Sequence, residues 1–305
     1  MSDSRFRLGV DLGGTKIEIL ALDPQGAERF RQRVPTPQGD YAATLRAIAT
    51  LVDSAERALG ASGSVGIGTP GSISRATGLL RGSNSVCMNG QPIKRDLERV
   101  LGRSVRITND ANCFALSEAS DGAGRGEDVV FGVILGTGVG AGVVVSGRVL
   151  DGPNAIAGEW GHNPLPWPRD DERPGDPCFC GHPGCIETFL SGPSLERDHR
   201  RVAGRALTSH EIVEGAARGD TACAASLARY TERLARSLAH VINILDPDAI
   251  VLGGGLSNID ALYVDVPKQW DAWVFSDRVD TRILKHVHGD SSGVRGAAWL
   301  WPVPP

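Results

Sequence analysis

Apolar residues recur with two different periods along the first third of the chain, and these periods predict alternating strands and helices. β-prone runs at Phe6 to Val10 and at Ile17 to Leu22 flank the glycine pair Gly13-Gly14, which predicts a β-hairpin. From Asp40 to Leu59 the apolar residues recur at helical spacing. The apolar run Val65 to Gly68 then predicts a buried strand.

A second hairpin is predicted from Val129 to Val149, around a turn that is rich in glycine. Its segment Val133 to Gly136 aligns with Val10 to Gly13 of the first hairpin, which indicates two similar halves. Further on, a long amphipathic helix is predicted from Ala222 to Leu245, before another buried strand.

This alternation predicts an α/β fold of two lobes with a cleft between them. We expect an N-terminal lobe over residues 1–118 and a C-terminal lobe over residues 119–290. The last helix, in residues 291–305, is expected to pack back on the first lobe.

Composition narrows the class of protein. The chain has 305 residues, 41% of them hydrophobic and 22% charged, and a formal net charge of −4. This balance is typical of a globular protein and gives no basic field for nucleic acid or an anionic membrane. The polar start of the chain does not resemble a secretory signal, and glycines interrupt the longest uncharged stretch, so we expect a cytoplasmic protein without a membrane span.

Three glycine-rich turns predict a nucleotide site, because turns without side chains allow backbone amides to approach phosphate. Asp11 before the first turn could hold Mg²⁺ through water, and Thr15 and Lys16 could reach phosphoryl oxygens. The third turn follows a buried strand and could leave a slot for adenine. The predicted ATP and magnesium residues are Asp11, Gly13, Gly14, Thr15, Lys16, Gly136, Thr137, Gly138, Gly140, Gly253, Gly254 and Gly255.

Other nucleotide-binding patterns fit less well. A P-loop needs lysine directly after its last glycine, whereas Thr15 separates Gly14 from Lys16. The spacing G-x-G-x-x-G occurs at Gly66 to Gly71, but Pro70 interrupts it and no helical pattern follows at once. We interpret this segment as a tight backbone turn.

Asp110 is the best candidate for a catalytic base. It follows the strand-like segment Ser104 to Ile107 and comes before a predicted helix, so it could also be a helix N-cap. Phosphoryl transfer to an alcohol needs a carboxylate that accepts the hydroxyl proton. Asn109 and Asn84 could supply amide hydrogen bonds to a polyhydroxylated substrate, although Asn84 could equally belong to a turn.

Cysteine spacing predicts a structural zinc site. Cys178, Cys180 and Cys185 lie within eight residues, and three sulfur ligands with one nitrogen ligand complete a closed tetrahedral site. The sequence spacing leaves either His162 or His182 as the nitrogen ligand. A redox centre or a nucleic-acid zinc finger would also use cysteines, but neither the C-x-C spacing nor the charge favours them.

Two glutamates accompany these ligands in the sequence. Glu159 lies three residues before His162, and Glu187 lies two residues after Cys185. A zinc ion that joins the two segments would bring both carboxylates to one place, where they could bind sugar hydroxyls. Without the metal, each would be interpreted as a solvated surface residue.

Taken together, these motifs resemble the ROK family of sugar kinases over nearly the whole chain. They are Asp11 to Lys16, Gly66 to Gly71, Asn109-Asp110, Leu135 to Gly142, Gly158 to His162 and the cysteine cluster. Within the family the chain looks most like bacterial fructokinases of the manno(fructo)kinase type.

The resemblance implies an actin-like, hexokinase-like fold, MgATP as phosphoryl donor, structural Zn²⁺ and a homodimer. It also implies Asp110 as base, His162 as both zinc ligand and sugar contact, and a sugar shell of Asn84, Asn109, Asp110, Glu159, His162 and Glu187. The expected reaction is phosphorylation of a hexose at its 6-hydroxyl, with fructose first and mannose or glucose second.

The alternatives on the same scaffold are a glucokinase, an N-acetylhexosamine kinase and a non-enzymatic sugar sensor. ROK repressors carry a helix-turn-helix domain ahead of the kinase-like body, and the early position of Asp11 argues against one here.

Overall fold

The strands follow the predicted alternation closely. The computed structural model describes residues 6–83 and 85–302. Its strands are β1 (Phe6–Leu12), β2 (Lys16–Leu22), β3 (Glu28–Pro35), β4 (Gly63–Thr69), β5 (Ser72–Ile73), β6 (Leu80–Arg81), β7 (Val105–Asn109), β8 (Val129–Leu135), β9 (Val139–Val145), β10 (Arg148–Val149), β11 (Ala249–Gly253) and β12 (Arg282–Lys285).

The helices connect these strands, and short 3₁₀ turns complete several loops. The α-helices are α1 (Tyr41–Leu59), α2 (Ile93–Leu101), α3 (Asp110–Ser120), α4 (Glu187–Leu190), α5 (Gly192–Ala203), α6 (Ser209–Ala217), α7 (Thr221–Leu245), α8 (Leu262–Asp265) and α9 (Ser292–Trp299). The predicted helices over Asp40 to Leu59 and Ala222 to Leu245 are therefore confirmed within one residue. Within the described ranges, no helix is both long and apolar enough to cross a membrane.

The two five-stranded sheets have the same strand order. The first runs β3-β2-β1-β4-β7 and the second β10-β9-β8-β11-β12. In each sheet a hairpin supplies the first antiparallel strands. One later strand pairs in parallel with the hairpin's first strand, and a second later strand pairs in parallel with that one. Asp11 pairs with Gly68 in the first sheet, and Ile134 pairs with Gly253 in the second. The repeat that the sequence predicts is thus confirmed at the level of topology.

Contacts divide the chain into two compact units. The first contains the chain up to Gly126, the segment Gly142–Ala157 and the chain from His288 onward. The second contains Glu127–Ala141 and Gly158–Val287. The domain limits expected from the sequence, at residues 118 and 290, stay a prediction.

In the first unit, the C-terminal helix α9 packs against the sheet. Helix α9 contacts α3, β1 and β4, and Val294 and Ala298 are fully buried against Leu20 and Leu22. Gly66 is necessary for this approach, because any Cβ there would overlap the carbonyl of Ala297. The G-x-G-x-x-G spacing therefore serves backbone packing at its first glycine.

Candidate functional site

The turn after β1 places a carboxylate beside exposed backbone. Asp11 lies one residue before the end of β1, and the amide of Gly13 donates to the carbonyl of Lys16 (3.0 Å), which closes the turn. Thr36, the residue that follows β3, also supports the turn, because its hydroxyl donates to the carbonyl of Gly13 (2.7 Å). Gly14 and Thr15 are exposed at its tip, where a ligand could reach them.

Asp110 begins helix α3 but does not cap it. The cap is Asn109, whose side-chain oxygen accepts the amide of Asn112 (2.8 Å). The Asp110 carboxylate accepts the amide of Ala111 at Oδ1 (2.8 Å) and also interacts with its own backbone amide, and no side chain within the described residues bonds to it. The capping alternative for Asp110 is therefore wrong, and one side of the carboxylate stays available to a substrate. Asn109 keeps its amide group as a donor.

The carboxylates of Asp11 and Asp110 lie close enough to influence each other. Burial, and then the charge of Asp110, raise the pKa of Asp11 to about 6. Burial also raises the pKa of Asp110. Many protein atoms surround the Asp110 carboxylate, but solvent still reaches it. Two acids with raised pKa values in one place are typical of functional sites.

Cys113 lies beneath these acids as a packing residue. It is fully buried on α3, and burial, followed by the charges of Asp11 and Asp110, raises the pKa of its thiol well above the usual value. A thiol that stays protonated does not act as a nucleophile. Cys113 therefore packs as a small buried side chain.

In the second unit, one histidine and three cysteines converge. The ligand atoms of His162, Cys178, Cys180 and Cys185 all lie within 4.8 Å of one another. Nδ1 of His162 is 3.5 Å from the sulfur of Cys178, and the sulfurs of Cys180 and Cys185 are also 3.5 Å apart. His162, and not His182, completes this cluster.

These distances fit a tetrahedral zinc ion. Bonds of about 2.3 Å to sulfur and about 2.0 Å to nitrogen separate tetrahedral ligand atoms by about 3.5–3.8 Å. A disulfide between Cys180 and Cys185 would need about 2.05 Å, so their sulfurs are too far apart for one. Burial raises the pKa of Cys178, and the pKa of Cys185 to about 12, so a cation is needed to hold both as thiolates.

Glu187 connects this cluster to the second glycine turn. Its Oε2 accepts the amide of Val139 (2.9 Å), and its Oε1 is 3.9 Å from the sulfur of Cys178. A Cβ on Gly138 would lie 2.7 Å from the same Oε2. Gly138 is therefore needed for the approach of Glu187, whichever ligand the turn binds.

The Glu159 to His162 segment separates into a buried and an exposed part. Glu159 is exposed, whereas Trp160 is buried edge-on against Phe131, with ring centroids 5.8 Å apart. The Trp160 indole donates to the carbonyl of Ser237 on α7 (3.3 Å). The Trp160 ring therefore belongs to the core of the second unit.

A pocket of about 690 Å³ lies beside the second and third glycine turns. Its lining includes Gly136 and Thr137 of the second turn and Gly255 of the third. Gly254 is not in the lining. It has φ +81°, and a Cβ there would overlap the carbonyl of Leu135, so this glycine brings the third turn against β8. The volume is within the range of pockets that hold small ligands.

The predicted sugar residues are divided between the units. Asn109 and Asp110 belong to the first, and Glu159, His162 and Glu187 to the second. Asn84 lies outside the described residues.

Sequence reasoning missed Glu196, Ser209 and His210, which line the pocket. They lie on α5 and α6, two helices that the sequence analysis did not predict. The capping pattern Thr208-x-x-Glu211 marks the start of α6 and could have revealed it.

Comparison with known proteins identifies the class. The sequence pattern of the ROK family matches residues 7–303, and the chain belongs to this family. A crystal structure of a ROK hexokinase from Thermus thermophilus has a TM-score of 0.85 and 31% identity, over 97% of each chain. The fold is thus that of the hexokinase and actin class, and the protein is a sugar kinase that acts on a hexose.

Two similar proteins have names that state a sugar substrate. The chain is 42% identical over 296 residues to an N-acetyl-D-glucosamine kinase of Yersinia pseudotuberculosis, which covers 96% of this chain and 97% of that protein. A ROK glucokinase from Streptomyces griseus, solved with glucose and AMPPNP, has a TM-score of 0.73 and 28% identity, over 96% of this chain and 98% of that one.

Proposed function

We propose that this protein is an N-acetylglucosamine kinase, which transfers the γ-phosphoryl group of ATP to the 6-hydroxyl of N-acetyl-D-glucosamine. The observation that carries the proposal is the 42% identity to a kinase of that name over almost the full length of both proteins. The expectation of fructose as first substrate gives way to the N-acetylhexosamine alternative, which these relatives favour.

Asp110 is the proposed base. Its unengaged oxygen accepts the proton of the 6-hydroxyl as the sugar oxygen bonds to the γ-phosphorus, the bond to the β,γ-bridging oxygen breaks, and ADP leaves. A raised pKa suits this role, because a base whose pKa is nearer neutral accepts the proton with a larger driving force. Asn109 would donate its amide to a neighbouring hydroxyl.

Asp11 and Lys16 are proposed to receive the phosphate end of the nucleotide. Asp11 would hold Mg²⁺, an ion that neutralises phosphate charge when bound, and Lys16 would contact phosphoryl oxygens together with the amides of Gly14 and Thr15. Within the described residues the Asp11 carboxylate accepts no hydrogen bond, so it is free for this purpose.

In the second unit, His162, Cys178, Cys180 and Cys185 are proposed to bind one structural Zn²⁺. With Nδ1 of His162 turned towards the cluster, Nε2 remains for a sugar hydroxyl. Glu159 and Glu187 would accept hydrogen bonds from further hydroxyls, and Asn84 would complete the shell. The homodimer and the cytoplasmic location also stay predictions.

A coupled ADP-release assay tests the proposal. Purified protein with MgATP is offered N-acetylglucosamine, N-acetylmannosamine, glucose, mannose and fructose separately, and the position of the phosphate is read by NMR. We expect the highest kcat/KM with N-acetylglucosamine and phosphate on O6. A higher kcat/KM with fructose or glucose would return the assignment to the alternatives.

A further inference from the structure

The pocket of the second unit has apolar walls and a single carboxylate. Pro193, Val213, Leu256 and Ile259 supply the apolar surface that a flat heterocycle needs. Glu196 is the one acid among the lining residues that the structure describes. An ionised carboxylate accepts hydrogen bonds and cannot donate them, so its position restricts which ligand edge can face it.

Glu196 is held in place by one of its two oxygens. Oε1 accepts both the amide of Ser209 (2.8 Å) and the hydroxyl of Ser209 (3.1 Å). These bonds join α5 to the first residue of α6 and fix the carboxylate plane. Within residues 6–83 and 85–302, Oε2 has no hydrogen-bond or ion-pair partner, and the side chain is partly exposed in the pocket.

Ser209 and Asn258, two other polar side chains of the lining, have hydrogen-bond partners of their own. The amide of Asn258 donates to the carbonyl of Gly255 (3.3 Å), and Nδ1 of His210 lies 3.7 Å from a carboxylate oxygen of Glu214. Glu196 therefore offers a fixed acceptor that nothing else in the described lining satisfies.

We infer that Glu196 selects the nucleotide base by accepting a hydrogen bond from the 6-amino group of adenine. The inference rests on the proposed function and on the prediction from the sequence that the turns at Gly136 and Gly255 bind ATP. Adenine carries a donor at position 6, whereas guanine and hypoxanthine carry an acceptor oxygen there. A keto oxygen facing Glu196 would meet a second acceptor and lose the hydrogen bond.

Inosine triphosphate is the sharpest probe, because it replaces the 6-amino group by a keto oxygen and leaves ribose and phosphates unchanged. We expect the wild-type protein to use ATP at least tenfold better than ITP in kcat/KM, as expected for a hydrogen bond to a charged group. In the Glu196→Gln variant the amide can turn its NH₂ towards the keto oxygen, so the ATP/ITP ratio should fall at least fivefold.

Two further variants separate base selection from damage to the fold. Glu211→Gln changes a carboxylate on the first turn of α6, where its capping role accepts glutamine equally well, and it should leave the ratio unchanged. Ser209→Ala removes one of the two bonds to Oε1 and should lower the ratio less than Glu196→Gln does. Circular dichroism confirms that each variant is folded.

A wild-type ratio below tenfold, or a ratio that Glu196→Gln lowers less than fivefold, would overturn the inference. Calorimetric binding of ATP and ITP to the same proteins gives the ratio without any sugar. If no sugar is phosphorylated but ATP still binds at least tenfold more tightly than ITP, and Glu196→Gln removes the difference, the proposed function fails and the base selection stands.

Discussion

The turns after β1 and after β8 occupy the same place in two sheets of equal strand order, yet they carry different chemistry. The first sheet has Asp11 opposite Gly68, and the second has Ile134 opposite Gly253. Burial raises the pKa of Asp11 to about 6, which costs folding free energy at neutral pH, whereas the isoleucine carries no such cost. This position of the repeated backbone therefore carries an acid in only one of the two sheets.

The supporting residues differ in the same way. The first unit surrounds its turn with a second carboxylate, Asp110, and the second unit supports its turn through Glu187 beside a cluster of thiols. We interpret the first unit as the source of reactive acids and the second as a rigid frame built on the proposed metal site. The four predictions below test that division.

The largest effect is expected from Asp110→Asn. An amide cannot accept the hydroxyl proton, so kcat should fall about 10³-fold while ATP and sugar binding persist. Turnover in the coupled assay and sugar binding by calorimetry measure this. Asp53→Asn, at an exposed surface ion pair, is the control and should keep full activity. Activity within tenfold of wild type in Asp110→Asn would remove the base from the account.

The second unit is tested by Cys180→Ala, which removes one sulfur from the cluster. We expect about one zinc per chain in the wild type and little in the variant, with a lower melting temperature, because metal binding and folding are coupled. Elemental analysis after dialysis measures the metal. Cys87→Ala changes a cysteine outside the cluster and should retain zinc. Equal zinc in the wild type and Cys180→Ala would contradict the ligand assignment.

Gly254→Ala tests whether the third glycine turn is a rigid part of the second unit. The left-handed φ of +81° and the overlap with the carbonyl of Leu135 should destabilise the protein by about 3 kcal/mol in urea unfolding. Gly39→Ala has a similar φ of +74° but no neighbour within 4 Å, so it should cost about 1 kcal/mol. Equal losses in both variants would mean that the contact with β8 does not matter.

Asp11→Asn should stabilise the protein in the absence of ligands by about 1–3 kcal/mol at pH 7–8. The folded pKa of about 6 lies above the unfolded value near 3.8, so the acid stabilises the fold when protonated and loses that contribution as pH rises through 6. Urea unfolding of both proteins from pH 4 to 8 should show that the difference between their unfolding free energies increases as pH rises.

The same acid should shape the pH dependence of catalysis. The proposed role of Asp11 in holding Mg²⁺ requires its ionised form, so kcat/KM for MgATP should fall as pH drops below about 6, and Asp11→Asn should be poorly active at every pH. A stability gap that does not change with pH would show that Asp11 has an ordinary pKa.

Much of the fold could be predicted from the sequence, because its elements have strong patterns. The hairpin around Gly13-Gly14, helix α7 and the buried strand β11 all have uninterrupted apolar periods. Strand β3 was missed, since charged residues alternate with its few apolar ones and the strand is largely exposed. Helices α5 and α6 were missed as well, and with them the pocket that they line.

The candidate site was predictable where its residues are close in sequence. Three cysteines within eight residues indicated a metal, but spacing could not decide between His162 and His182, because that depends on how the 3₁₀ turn at Trp160–His162 returns to the loop. The sugar preference could not be predicted from the sequence, because a fructose site and an N-acetylglucosamine site differ in pocket shape and not in residue types. The role of Asn109 as helix cap also appears only in three dimensions.

A competition experiment tests the central claim most directly. The protein receives limiting MgATP and an equimolar mixture of N-acetylglucosamine, glucose and fructose, and mass spectrometry measures the sugar phosphates formed. We predict that the acetamido sugar phosphate dominates by at least tenfold. A product pool dominated by hexose phosphate would contradict the assignment of N-acetylglucosamine as substrate.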